Sequence, residues 1–218
     1  MSVEGAGRTD AGVHSAGQVI AFTYAGRLSA SELRHAASAL LPADIGLGPL
    51  RRVSPGYRPR YQARYRLYRY QIWNGPPSPL RERYALGVRD ELEVKAMAAA
   101  AAVLVGRHDF AAFGATHRQP VRTIHRLAVR RRGRLVTIEV AGDAFLRHMV
   151  RRLVAALLRV GTGRATVDDV VAALASRQPA FGGATAPAHG LCLWRVAISH
   201  RPATERAPAT ERAEEQEH

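Results

Sequence analysis

The residues best suited to chemistry lie near the start of the chain, in the run Gly5-Ala6-Gly7-Arg8-Thr9-Asp10-Ala11-Gly12-Val13-His14. Gly5 and Gly7 precede an Arg-Thr-Asp triplet and Gly12 follows it, which allows a tight backbone able to hold the Asp10 carboxylate beside a cation. A carboxylate so placed stays ionised, which suits a nucleophile or a base rather than a proton donor. Taken alone, a glycine-flanked aspartate is more often an ordinary turn residue. The loop is not a phosphate loop, because no Gly-Lys-Ser/Thr follows it.

Few other groups compete for a catalytic role. His14 and His148 read as structural or ligand-contacting rather than acid-base groups. His108, Asp109 and His117 lack metal-ligand partners at helical or turn spacing. Phe110 and Phe113 read as core anchors. Cys192 is the single cysteine of 218 residues, which excludes an internal disulfide framework and every multi-cysteine zinc pattern, and fits a reducing cytoplasm. The longest apolar run, 96–105, is too short to span a bilayer, and the N-terminus has neither the basic start nor the apolar stretch of a signal peptide.

The charge balance points to a polyanion. Lys and Arg total 32 against 18 Asp and Glu, a formal net charge of +14, and Lys95 is the only lysine. The guanidinium fork pairs bidentately with phosphate and stacks on bases, which an ammonium cannot do. Residues 51–89 hold ten Arg and one acid, Glu82, and residues 118–134 hold seven Arg and no acid. Such blocks read as a nucleic-acid footprint, with solvated surface and arginine-rich coding as the plainer alternative. Residues 201–218 run the other way, repeat PATERA, contain no aromatic residue and read as a disordered tail.

Positioning the Asp10 loop falls to alternating strand and helix patterns. Residues 17–24 read as a strand, and 29–41 as a helix with Leu33, Ala36, Ala37, Leu40 and Leu41 on one face and a Ser29/Glu32 capping box. Residues 65–73 alternate, with Arg66, Tyr68, Tyr70 and Ile72 sharing one face and Leu67, Arg69, Gln71 and Trp73 the other. Residues 94–105 read as a helix with Met97, Ala101, Leu104 and Val105 inward. Residues 123–131 and 135–140 pair as a hairpin across an Arg-Gly turn at 132 and 133, with Val136, Ile138 and Val140 on one face. A helix over 144–160 carries the stripe Met149, Val150, Leu153, Leu157 and Val160, leaving His148, Arg151, Arg152 and Arg159 on its other side. Thr166 caps a helix to Ala175, and 191–199 forms a closing strand. The fold class is α+β with mostly antiparallel pairing.

The whole string GAGRTDAGVHSAGQV resembles the signature of the tRNA pseudouridine synthase A family. LYRYQIWN (67–74), GRHDFAAF (106–113), FLRHMVRRLV (145–154) and HGLCLW (189–194) resemble four further segments of that family in its order, so the resemblance covers nearly all of residues 3–199. It implies that Asp10 is the catalytic aspartate, that Arg8 enters the RNA stack to help extrude a uridine, that Tyr68 stacks on the target base, and that Arg151 ion-pairs with the aspartate. Read without it, Tyr68 is a core residue and Arg151 a solvated one. It further implies conversion of uridine to pseudouridine at positions 38, 39 and 40 in the anticodon arm of tRNA, a homodimer, a cytoplasmic location, and no metal or other cofactor.

Members of that family begin with a strand, an Asp-Gly-x-x-x-x-Gly-Trp-Gln loop and a helix, whereas this sequence starts at Met1-Ser-Val-Glu, about where the strand into the Gly-Arg-Thr-Asp segment should run. The expectation is therefore a shortened N-terminal domain over 1–60, a complete C-terminal domain over 61–200, and the tail over 201–218. The resemblance implies two α/β domains with mostly antiparallel sheets, helices on one side and the active-site cleft between them. The alternative to an enzyme is a truncated, inactive tRNA- or RNA-binding module.

Overall fold

The computed structural model describes residues 2–115 and 119–198; His117, Arg118 and the 201–218 tail lie outside the described residues. In chain order the elements are β1 (Val3–Gly5), β2 (His14–Ser15), β3 (Ile20–Phe22), α1 (Ala30–Leu40), α2 (Pro59–Gln62), β4 (Ala63–Asn74), β5 (Leu86–Val88), α3 (Val94–Ala102), β6 (Gly106–Asp109), β7 (Val121–Arg132), β8 (Leu135–Gly142), α4 (Met149–Gly161), α5 (Val167–Ser176) and β9 (Leu191–Ile198). The main sheet runs β2-β9-β4-β8-β7-β6, with β5 on one end of β4, and β1 pairs with β3 in a separate ribbon. All pairs are antiparallel except β2 with β9 and β4 with β5. The class is thus mixed α and β with mostly antiparallel sheet.

Strand β4 is central because its period-2 pattern is strict. Arg66, Tyr68, Tyr70 and Ile72 are all buried, and the residues between them are half-buried on the opposite face. Val136, Ile138 and Val140 of β8 extend the same inner surface, and the stripe Met149, Val150, Leu153, Leu157 and Val160 of α4 closes over it, with Met97 and Ala101 of α3 beside it. Each large apolar side chain buried in this way contributes about 1.5–3 kcal/mol relative to exposure. On the outer face Glu139 pairs with Arg69 at 2.7 Å and Arg126 at 3.3 Å, and the Arg69 guanidinium lies 3.7 Å from the Trp194 ring centre.

Several boundaries differ from those the pattern predicts. Helix α4 starts at Met149, five residues later than expected. The Asp143 carboxylate accepts from the Thr123 and Ala144 amides, and His148 is left-handed at φ 62, so 144–148 cannot join the helix. Strand β3 covers only 20–22, because the Ala16 and Gly17 amides donate instead to the Leu193 carbonyl at 3.0 and 3.2 Å. The hairpin loop is Gly133-Arg134, one residue later than expected, since Arg132 pairs with Leu135. Val105 lies beyond the end of α3 and is exposed. The predicted Ser29/Glu32 capping box forms, and Thr166 caps α5 as expected, in a capping box with Asp169 that the pattern does not single out. The apolar face of α1, however, buries none of its residues against the described chain, and Leu40 is 87% exposed.

Candidate active site

The site is built around the loop joining β1 to β2, whose main chain is gripped by side chains from elsewhere. Three successive carbonyls each have a different holder. The Arg66 guanidinium donates to the Ala6 carbonyl through Nε at 3.0 Å and Nη2 at 2.8 Å. The Gln18 amide donates to the Gly7 carbonyl at 2.8 Å and accepts from the Gly7 amide at 3.1 Å, imitating a strand partner. The Tyr68 hydroxyl donates to the Arg8 carbonyl at 2.8 Å. Arg66 also donates to the carbonyls of Asp143 and Arg60, so one side chain ties the loop to the ends of β8 and α2. Its burial pulls the guanidinium pKa down from the ordinary arginine value, and three carbonyl acceptors compensate a charge that has no carboxylate in hydrogen-bond contact among the described residues.

Past these anchors the chain reverses at Asp10. The Val13 amide donates to the Asp10 carbonyl at 3.0 Å, and Gly12 at the third position of the turn has φ +79. That is a type II turn, whose third residue needs positive φ. The motif thus places glycine where the turn requires it and aspartate where the turn begins. At Gly7 the reason is contact rather than angle: a Cβ there would lie 2.8 Å from Leu193 Cδ2, in the strand that pairs with β2.

The cation opposite Asp10 comes from α4. Arg151 Nη1 donates to Asp10 Oδ2 at 3.0 Å, across 141 residues of sequence. Its Nε donates to the Ala186 carbonyl at 2.7 Å, while the Ala186 amide donates to the Arg151 carbonyl at 3.0 Å, and the Tyr70 hydroxyl fixes the next carbonyl, that of Pro187, at 2.9 Å. Residues 186–187 therefore act as a strap that orients the guanidinium. Arg151 is well covered and far from the solvated residue that its helical position alone suggests, while Asp10 retains partial exposure. His148 Nε2 lies 3.6 Å from the same Asp10 oxygen.

Of the residues singled out from sequence, Asp10 and Arg151 meet directly, and Arg8, two residues before Asp10, is exposed. Tyr68 is only 6% exposed; its ring packs edge-on against Phe145 at 5.3 Å, and burial pushes its hydroxyl pKa up to about 12. His148, set aside in the sequence reading, stands beside Asp10. Gln18 and Arg66 were missed as well, although both had signals: Gln18 lies inside the signature string, and Arg66 is a charged residue on the inward face of an alternating strand. Among the described residues no cluster of three or more His, Cys, Asp or Glu could hold a metal, and no helix is long and apolar enough to cross a membrane.

Sequence comparison places this aspartate-centred fold among the pseudouridine synthases, since residues 100–197 match the family model described as tRNA pseudouridine synthase. Relatives extend the match over most of the chain. The tRNA pseudouridine synthase A of Moorella thermoacetica is 42% identical over 195 residues, covering 88% of this chain and 79% of that protein. The protein of the same name from Thermosipho melanesiensis is 38% identical over 197 residues, covering 88% and 81%, and that from Shouchella clausii is 39% identical over 200 residues, covering 90% and 77%. The chain belongs to the tRNA pseudouridine synthase A family.

Proposed function

We propose that this protein isomerises uridine to pseudouridine in tRNA, at positions 38, 39 and 40 of the anticodon arm, with Asp10 as the catalytic carboxylate. The observation that carries the reading is the 3.0 Å pair between Asp10 and Arg151, two residues that family resemblance singles out and that lie 141 positions apart. The reaction breaks the bond from N1 to C1′, turns the freed uracil, joins C5 to C1′, releases the C5 hydrogen to solvent as a proton and takes one proton from solvent onto N1. Atoms and electrons balance within one nucleotide, so no redox partner is required. One ionised carboxylate at the sugar, kept in place by a fixed cation, meets the need.

The remaining assignments follow from reach. Arg8 is exposed two residues before Asp10, where it can enter an RNA stack and offset part of the cost, about a few kcal/mol, of flipping the uridine out. Tyr68 lies beneath Arg8, held by its carbonyl, so stacking of its ring on the base requires the Arg8 segment to move. The two-domain division at about residue 60, a cleft between the domains, a homodimer and a cytoplasmic location belong to the same proposal. So does a phosphate path along the arginine blocks, which would make tRNA affinity fall steeply with salt.

Incubation with tRNA transcript carrying tritium at uridine C5 tests the reading. Wild type should release tritium and Asp10→Ala should not; no release from wild type, or undiminished release from the variant, defeats it. Retention of tRNA on a filter without tritium release would favour an RNA-binding module instead.

A further inference from the structure

Two groups from the start of α4 approach the same oxygen of Asp10. Arg151 Nη1 donates to Oδ2 at 3.0 Å and His148 Nε2 lies 3.6 Å from it, in ion-pair range but just beyond a hydrogen bond, whereas among the described residues no donor is within hydrogen-bond distance of Oδ1. His148 arrives on a backbone that side chains seldom adopt, φ 62 and ψ 0, at the N-cap of α4. The caps of α1 and α5, Ser29 and Thr166, are extended and accept hydrogen bonds from their helices; His148 makes no such bond. Helix α4 thus lacks a side-chain cap and carries a strained residue at the one terminus that faces the carboxylate. Strain of this kind persists where the surrounding structure holds it, and it gathers at functional sites.

We propose that His148 is a positioning residue: together with Arg151 it holds Oδ2 of Asp10 so that Oδ1 faces the nucleoside. The inference rests on the isomerase reading above. The terminal torsion of an aspartate is broad and roughly two-fold, so a single partner leaves the carboxylate free to swing and to exchange its oxygens. Two partners, fixed three residues apart at the start of one helix, define a direction for Oδ2 and with it one for Oδ1. The left-handed turn serves this purpose, because an ordinary extended N-cap would send the residue 148 side chain along a different path.

His148→Gly and His148→Ala separate this role from a structural one. Glycine adopts the left-handed turn without strain and alanine does not, so the alanine variant should melt below the glycine variant. The positioning role predicts that both variants nonetheless lose kcat by about tenfold, as a misdirected reactive group does. KM for tRNA should stay within about twofold of wild type, and added imidazole should restore part of kcat in both. A kcat within about twofold of wild type, a loss confined to the less stable alanine variant, or no recovery with imidazole would overturn the proposal. Those results would leave the isomerase reading standing, whereas an inactive wild type overturns both.

Discussion

Replacing Arg66 with methionine should loosen the Asp10 loop while sparing most of the packing along the strand. Methionine retains an unbranched apolar stem on the inner face of β4 but removes every donor, so the carbonyls of Ala6, Asp143 and Arg60 lose their partner together. The Ala6 carbonyl matters most, since Ala6 is 2% exposed and water has little access to it. A buried acceptor left unpaired costs about 1–3 kcal/mol, and the two partly covered carbonyls lose charge-assisted bonds that water partly replaces. Against this, the guanidinium no longer has to be held away from water. The net loss should be about 2–4 kcal/mol, which for a chain of this size lowers the melting temperature by about 2–4 °C per kcal/mol. Equilibrium urea unfolding followed by circular dichroism measures it directly. Arg66→Lys should recover less than half, because one ammonium cannot span carbonyls contributed by three separate segments. A loss below about 1 kcal/mol for methionine, or full recovery by lysine, would refute the view that this arginine anchors the loop.

Two further outcomes follow from the same loop. Gly12→Ala forces a side chain into φ +79, where its Cβ also meets Ala188 at 3.3 Å, and should destabilise the protein by about 1–2 kcal/mol and lower turnover, as a melting curve and a tritium-release assay would record. Burial raises the Tyr68 hydroxyl pKa to about 12, so the folded state holds that proton more tightly than the unfolded state does. Stability should be intact below pH 10 and fall by about 2–3 kcal/mol as pH rises from 10 to 12. Tyr68→Phe should reduce the slope of an unfolding-versus-pH profile over that range, leaving the part due to Tyr70, whose hydroxyl pKa burial also raises, and an unchanged slope would count against the assignment.

The arginine blocks show how a compositional signal divides once the chain is folded. Arg66 is an internal clamp, Arg69 lies between Glu139 and Trp194, and Arg131 donates to Asn74 and to the Leu92 carbonyl; outside the blocks, Arg152 donates to the Gly114 carbonyl. Arg8, by contrast, is exposed beside Asp10. Charge counting points to a polyanion but cannot separate residues that face it from residues that hold loops together, because both kinds are arginine and the difference is one of burial and partner.

Much of the architecture was legible because it follows from local periodicity. The alternation of β4, the hairpin of β7 and β8, the stripe on α4, the Ser29/Glu32 capping box and the Thr166 cap depend on residues only a few positions apart, and the structure has each of them. The boundaries that moved are those decided by distant partners: β3 is short because the Leu193 carbonyl takes the Ala16 and Gly17 amides, and α4 starts late because Asp143 and His148 fix the residues before it. The Asp10 loop divides the same way. Its glycine spacing and its aspartate can be read from the string, since a type II turn is a local object. The grip on three successive carbonyls and the approach of His148 from a left-handed turn can be read only from the folded chain. A string of residues specifies which groups exist and which turns they favour, whereas a hydrogen bond across 141 positions exists only after the sheet has brought its two ends together.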